Sequence, residues 1–116
     1  MSQARLSCIL LNYRTAELCR RAARTAVTAL QGLDAELLIV DNDSGDGSFE
    51  KIAKGLQAPW AKVAPVRLIQ SGRNGGFGAG NNVGIRAGLS DGSRPDYVYI
   101  LNSDAFPAPD AIRLLL

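Results

Sequence analysis

Four short apolar runs, separated by helical patterns, constrain this 116-residue chain more than anything else in it. The first covers residues 6–11 and leads into Asn12 and Tyr13. The second covers residues 37–40 and leads into Asp41, and the third covers residues 66–69. The fourth covers residues 97–101 and delivers Asn102, Ser103 and Asp104. Such near-continuous apolar character suits strands covered on both faces better than an exposed hairpin.

Between the strands, Thr15 is a candidate N-cap for a helix carrying Leu18, Ala22, Ala26, Leu30 and Leu33 at helical spacing. Cys19 and Ala23 widen its stripe, and Gly32 can end it. Residues 48–56 form a short amphipathic pattern with Phe49, Ile52, Ala53 and Leu56 on one side. A glycine-rich segment after the third run joins a helix extending to about Leu89, with Val83 and Ala87 inward and Ile85 or Leu89 beside them. Trp60, Tyr97 and Tyr99 read as packing residues. The order β-α-β-α-β-α-β-α predicts a single α/β domain with a Rossmann-like, mostly parallel sheet covered by helices on both faces.

Bulk properties exclude several function classes. A hydrophobic content of 47% with 21% charged residues describes a globular chain. The net charge of +2 offers no nucleic-acid stripe, and Arg20, Arg21 and Arg24 suit the wet face of a helix. With no histidine, zinc sites of the Cys/His type and histidine bases are excluded. Cys8 and Cys19 lack metal-ligand spacing and read most simply as small hydrophobes in a reducing compartment. No apolar span of membrane length is present, so a cytoplasmic location is expected, with membrane association through further sequence left open. Pro109 and Asp110 start a helical pattern that stops on Leu114, Leu115 and Leu116 without a cap. The expectation is a domain truncated at its C-terminal end, whose exposed edge can self-associate.

The loop after the second strand concentrates the chemistry. Asp41, Asp43 and Asp46 lie among Asn42, Ser44, Gly45, Gly47 and Ser48, where a buried strand turns toward a helix. In α/β sheets ligands bind at the carboxyl ends of strands. Carboxylates gathered there need water, a cation or the donor groups of a ligand. A dinucleotide fingerprint is disfavoured, because Gly76, Gly78 and Gly80 follow the third strand and the strand-end acid precedes them. A P-loop fails for want of Gly-Lys-Ser/Thr, and a calcium hand fails at its glycine or its terminal glutamate position. A parallel sheet would instead gather Asn12, Tyr13, Asp41, Asp43 and Asp104 on one rim beside the glycine-rich segment. Such a rim suits an activated sugar nucleotide.

The motifs Ile9-Leu10-Leu11-Asn12-Tyr13, Val40-Asp41-Asn42-Asp43-Ser44-x-Asp46-Gly47-Ser48, Asn74-x-Gly76-Phe77-Gly78-x-Gly80-x-Asn82-x-Gly84 and Leu101-Asn102-Ser103-Asp104 together resemble those of the inverting family-2 glycosyltransferases. The resemblance covers nearly the whole chain, is nearest to the rhamnosyltransferase-like branch, and keeps the family's motif order. It implies the N-terminal, nucleotide-sugar-binding part of an A-type glycosyltransferase fold. By that resemblance Asn12 and Tyr13 line the nucleoside and Asp41 contacts the base, with Asp43 on the adjoining side. Arg73 is a candidate base or phosphate contact, and residues 74–82, including Asn74, Gly76, Gly78 and Asn82, shape the donor pocket. Asn102-Ser103-Asp104 corresponds to the Asp-x-Asp metal motif with its first acid replaced, which leaves Asp104 as the principal ligand of Mg²⁺ or Mn²⁺.

The implied partners are a UDP- or dTDP-sugar donor and a glycan or lipid-linked saccharide acceptor in cell-envelope polysaccharide assembly, at or near the inner membrane face. The general base of the family lies downstream of the metal motif, and Asp110 reads as a helix N-terminal charge instead. Plainer roles stand beside these: Asp46 and Ser48 as helix caps, Asn102 and Ser103 as turn formers, Gly75 and Gly80 as backbone geometry. Two other functions compete, a non-catalytic module binding nucleotide or protein and a nucleotidyltransferase. The latter wants a glycine-rich basic loop after the first strand, which Asn12-Tyr13-Arg14-Thr15 does not supply.

Overall fold

A computed structural model describes residues 4–103 and 112. The elements run β1 (Leu6–Asn12), α1 (Ala16–Leu30), β2 (Ala35–Asp41), α2 (Ser48–Gly55), a 3₁₀ turn (Pro59–Lys62), β3 (Val66–Gln70), α3 (Phe77–Ala87) and β4 (Tyr97–Leu101). All pairings among the four strands are parallel, in the order β3-β2-β1-β4. The expected fold class is therefore the observed one. Asp104 and the expected C-terminal helical pattern lie outside the described residues, apart from Ile112, which is buried.

Strand alternation divides the core in two. Cys8 and Leu10 of β1 and Leu37 and Ile39 of β2 face α1, whose Cys19, Ala22, Ala23, Ala26, Val27 and Leu30 are all buried against them. Ile9 and Leu11, with Leu38 and Val40, face α3 and its Val83 and Ile85. At roughly 1.5–3 kcal/mol for each large aliphatic side chain removed from water, these two layers hold the domain together. The buried face of α1 differs from the stripe its sequence suggests: Leu18 is exposed and Leu33 packs on the core from beyond the helix end, while Ala16, Val27 and Ala29 join the buried side. The β2 strand begins two residues earlier than its apolar run, since the aliphatic stem of Glu36 permits burial while its carboxylate accepts from Ser90 N (2.9 Å) and Ser90 Oγ (2.7 Å).

Coverage is uneven at the edge. Tyr99 packs on the α1 side, but Tyr97 is exposed, and Val98 and Ile100 on the α3 side are also exposed. The reason is the position of α3, which sits over β1 and β2. Gly80 and Gly84 make that seat possible. A Cβ at Gly80 would lie 2.6 Å from Leu11 Cδ1 and 3.0 Å from Asn42 Oδ1, and one at Gly84 would lie 2.9 Å from Ile9 Cγ2. Gly80 thus serves helix–sheet contact, more than local backbone freedom.

Candidate functional site

Register sets the site. Asn12 is opposite Asp41 across the β1–β2 pair, and Asp41 is opposite Gln70 across β2–β3. Three polar side chains consequently stand in a row at the carboxyl rim. Asn12 Nδ2 donates to Asp41 Oδ1 at 2.9 Å, and Gln70 Nε2 donates to Asp41 Oδ2 at 3.0 Å. Ser44 adds its hydroxyl to Oδ1 at 2.6 Å and its backbone N–H to Oδ2 at 3.4 Å. Asp41 is only 1% exposed, so its buried carboxylate is held by donors on both oxygens. Asn12 Oδ1 in turn accepts from the Thr15 hydroxyl at 3.0 Å, which turns that side chain to the rim and away from capping α1.

A second set of bonds fastens the glycine-rich segment. Asn42, 2% exposed, donates its backbone N–H to the Asn12 carbonyl at 2.8 Å. Its Nδ2 donates to Asn74 Oδ1 at 3.0 Å and to the Gly76 carbonyl at 3.3 Å, while its Oδ1 accepts from Ser71 Oγ at 2.9 Å. Gly76 takes φ +96° immediately before α3, a conformation that favours glycine. Asn42 therefore ties β2 to the loop that opens α3.

The predicted site residues fall around three hollows on this rim. Asp41 and Asp43 line one of about 390 Å³ with Phe49, Glu50 and Gln70. Arg73 and Asn82 line another of about 210 Å³ with Asn42, Ser71 and Arg86. Tyr13 and Asn102 line a third of about 440 Å³ with Leu11, Phe77 and Ser103. Thr15 Oγ1 and Ser103 Oγ, 3.4 Å apart, join the ends of β1 and β4. Asn74 and Gly76 are reached through Asn42, and Gly78 is an exposed residue of the first turn of α3. Asp43 is exposed at φ +58°, with its backbone N–H bonded to Gln70 Oε1 at 2.9 Å.

Asp46 behaves as a helix-start residue: its Oδ1 accepts from Ser48 N at 2.9 Å and Ser48 Oγ at 2.5 Å, and the Ser48 hydroxyl bond lowers its pKa. Sequence reasoning overlooked Arg14, Asn42, Ser44 and Gln70 as site residues. Arg14 Nε donates to the Ser44 carbonyl at 2.9 Å, and its guanidinium stands 5.2 Å from the Tyr13 ring centroid. Only the placement of Gln70 at a strand end offered a signal, since Asn42 and Ser44 look like ordinary turn formers.

Among the described residues no group of three or more Cys, Asp or Glu side chains could hold a metal ion. Asp104, the expected principal ligand, lies outside them. Of that motif the structure shows Asn102, exposed at the end of β4, and Ser103.

A parallel sheet with polar residues collected at its carboxyl rim is a Rossmann-like arrangement, a class of fold in which ligands sit at that rim. The chain belongs to glycosyl transferase family 2, whose family model matches residues 7–116. It is 31% identical over 99 residues to the low-salt glycan biosynthesis hexosyltransferase Agl10 of Haloferax volcanii, covering 85% of this chain and 27% of that protein. Among solved structures it resembles the mannosyltransferase PcManGT of Pyrobaculum calidifontis in complex with GDP-Man and Mn²⁺, with a TM-score of 0.76, 21% identity, and coverage of 95% of this chain and 30% of that one. It also resembles S. aureus TarS 1-349 in complex with UDP-GlcNAc, with a TM-score of 0.71, 18% identity, and coverage of 96% and 30%. These likenesses identify the A-type glycosyltransferase fold. The chain spans just over a quarter of the hexosyltransferase's length and about a third of each solved structure.

Proposed function

We propose that this chain is the donor-binding part of a metal-assisted, inverting glycosyltransferase that uses a UDP- or dTDP-sugar in cell-envelope glycan assembly. The observation that carries the proposal is the rim network in which Asn12, Ser44 and Gln70 hold Asp41 while Asn42 fastens the glycine-rich segment beside it. It fixes the strand ends and the α3 loop relative to one another before a donor arrives, and preorganised polar groups of that kind reduce the ordering cost of binding. GDP-Man and UDP-GlcNAc in the structural neighbours support the nucleotide-sugar class.

In the proposed reaction an acceptor hydroxyl attacks the anomeric carbon opposite the nucleoside diphosphate. The new C–O bond forms as the bond to the diphosphate oxygen breaks, and a base takes the hydroxyl proton. Tyr13 and Asp43 would border the nucleoside, Arg73 the base or a phosphate, and Asn74, Gly76, Gly78 and Asn82 the pocket wall. Mg²⁺ or Mn²⁺, held by Asp104 with Asn102 beside it, would supply charge neutralisation for the departing diphosphate. The Mn²⁺ of the mannosyltransferase neighbour supports that assignment. The acceptor would be a glycan or lipid-linked saccharide presented at the cytoplasmic face of the membrane, to which the longer protein would be peripheral.

Calorimetric titration of the chain with UDP, dTDP and GDP, each with Mn²⁺ and with chelator, tests this. Metal-dependent binding that disappears in Asp104→Ala is expected. A folded chain that binds none of them would instead favour a non-catalytic interaction module.

A further inference from the structure

Asn81 is 3% exposed, and neither its amide nitrogen nor its amide oxygen has a hydrogen-bond partner. Leaving a buried donor or acceptor unmatched costs about 1–3 kcal/mol. The contrast with its surroundings is sharp. Asn12 and Asn42 are equally buried and use both ends of their amides. Of these three buried amides, that of Asn81 alone is left open to a further group.

Helix geometry says where that group would be. Asn81 follows Phe77 by one helical turn, so the two share a face of α3. Side chains on a helix lean toward its N-terminus, which for α3 is the end at the carboxyl rim. The Asn81 amide therefore leans toward Phe77, which lines the hollow shared with Tyr13, Asn102 and Ser103. Leu11, another residue of that hollow, stands directly beneath the neighbouring Gly80. Phe77 is 55% exposed and borders that hollow.

We infer that Asn81 is a specificity-determining residue that receives a hydroxyl of the transferred sugar from the Tyr13–Phe77–Asn102 hollow. A hydroxyl both donates and accepts and so answers both open ends of an amide, whereas a phosphate oxygen can only accept. The assignment rests on the nucleotide-sugar reading of the rim and extends it to one residue and one part of the donor.

The test pairs affinity with stability. GDP-mannose, UDP-N-acetylglucosamine and dTDP-rhamnose, and the matching nucleoside diphosphates, are titrated with Mn²⁺ into the wild-type chain and into Asn81→Ala and Asn81→Ser. The expected result is at least tenfold weaker binding of the accepted nucleotide sugar to Asn81→Ala, with affinity for its diphosphate unchanged. Asn81→Ser should recover part of the loss, and the melting temperature of Asn81→Ala should be equal or higher, because an unmatched amide has gone. Equal weakening of sugar nucleotide and diphosphate, or no weakening, overturns the assignment while leaving the nucleotide-sugar reading intact. A folded wild-type chain that binds none of the nucleotides overturns both. A variant with a lowered melting temperature and unchanged affinities gives Asn81 a packing role only and also overturns it.

Discussion

Replacing Asp41 with asparagine tests whether its carboxylate organises the rim. The side chain keeps its shape but exchanges one acceptor oxygen for a donor NH₂. If the NH₂ takes the Oδ1 position it faces Asn12 Nδ2 at 2.9 Å and Ser44 Oγ at 2.6 Å; if it takes the Oδ2 position it faces Gln70 Nε2 at 3.0 Å and, at the longer distance of 3.4 Å, Ser44 N. The second arrangement is the cheaper, because exposed Gln70 can rotate its amide. That rotation gives up the bonds from Asp43 N (2.9 Å) and Gly72 N (3.3 Å) to Gln70 Oε1. Losing charge-assisted bonds of roughly 1.5–3 kcal/mol each, with partial relief by rotation, gives a net destabilisation of about 2–4 kcal/mol. A domain of this size loses roughly 4 °C per kcal/mol, so the melting temperature should fall by about 8–16 °C. Thermal denaturation by circular dichroism reads this directly. Asp41→Asn combined with Gln70→Ala should lose less than the sum of the single changes, because the two residues share one network. A melting temperature within about 2 °C of wild type would refute the reasoning, since a shift below roughly 0.5 kcal/mol is that of an ordinary surface change.

The glycines of α3 should separate by environment. Gly84→Ala places a methyl 2.9 Å from Ile9 Cγ2 and 3.3 Å from Val40 Cγ2, both in fully buried side chains, so overpacking of about 1–3 kcal/mol should outweigh a helix-propensity gain of about 1 kcal/mol. Gly78→Ala meets nothing within 4 Å and should be neutral or stabilising by up to about 1 kcal/mol, as measured by urea denaturation of the two variants side by side. For the thiols, burial pushes both Cys8 and Cys19 from 9.0 up to about 12, with the charge of Asp41 adding to the shift at Cys19. Both should resist a thiol reagent at pH 8 in the folded chain and react in denaturant. The sign of the linkage follows: a thiol that ionises near pH 9 only when unfolded leaves stability intact below that pH and erodes it between about 9 and 12, which urea midpoints over that interval would show.

The fold was legible because parallel strands buried on both sides write themselves as unbroken apolar runs. In β1, Cys8 and Leu10 serve one layer while Ile9 and Leu11 serve the other, so no alternation survives in the sequence. Helix detail was less legible for a related reason. Leu18 has the right spacing for the α1 stripe and is exposed, yet Ala16, Val27 and Ala29 are buried, because a helix seated closely on a sheet admits mostly small residues at the contact. Hydrophobicity ranks leucine above alanine; closeness of approach does not. The same physics explains Gly80 and Gly84, whose missing side chains let α3 rest on Leu11 and Ile9.

The candidate site shows a sharper division. Strand-end acids and amides announced where a ligand would bind, but spacing carries no information about which of them is already committed to its neighbours. Asp41, which the family resemblance assigns to the base contact, is among the least exposed residues, whereas Asp43, two residues on, is exposed at positive φ. The difference comes from register, which places Asn12 and Gln70 on either side of Asp41 and nothing comparable around Asp43. A buried acid with donors on both oxygens reshapes poorly, and an exposed acid on a turn reshapes easily. The two acids therefore differ in what they can do: Asp41 holds the β2 loop in place, and Asp43 presents its carboxylate on the surface of that loop.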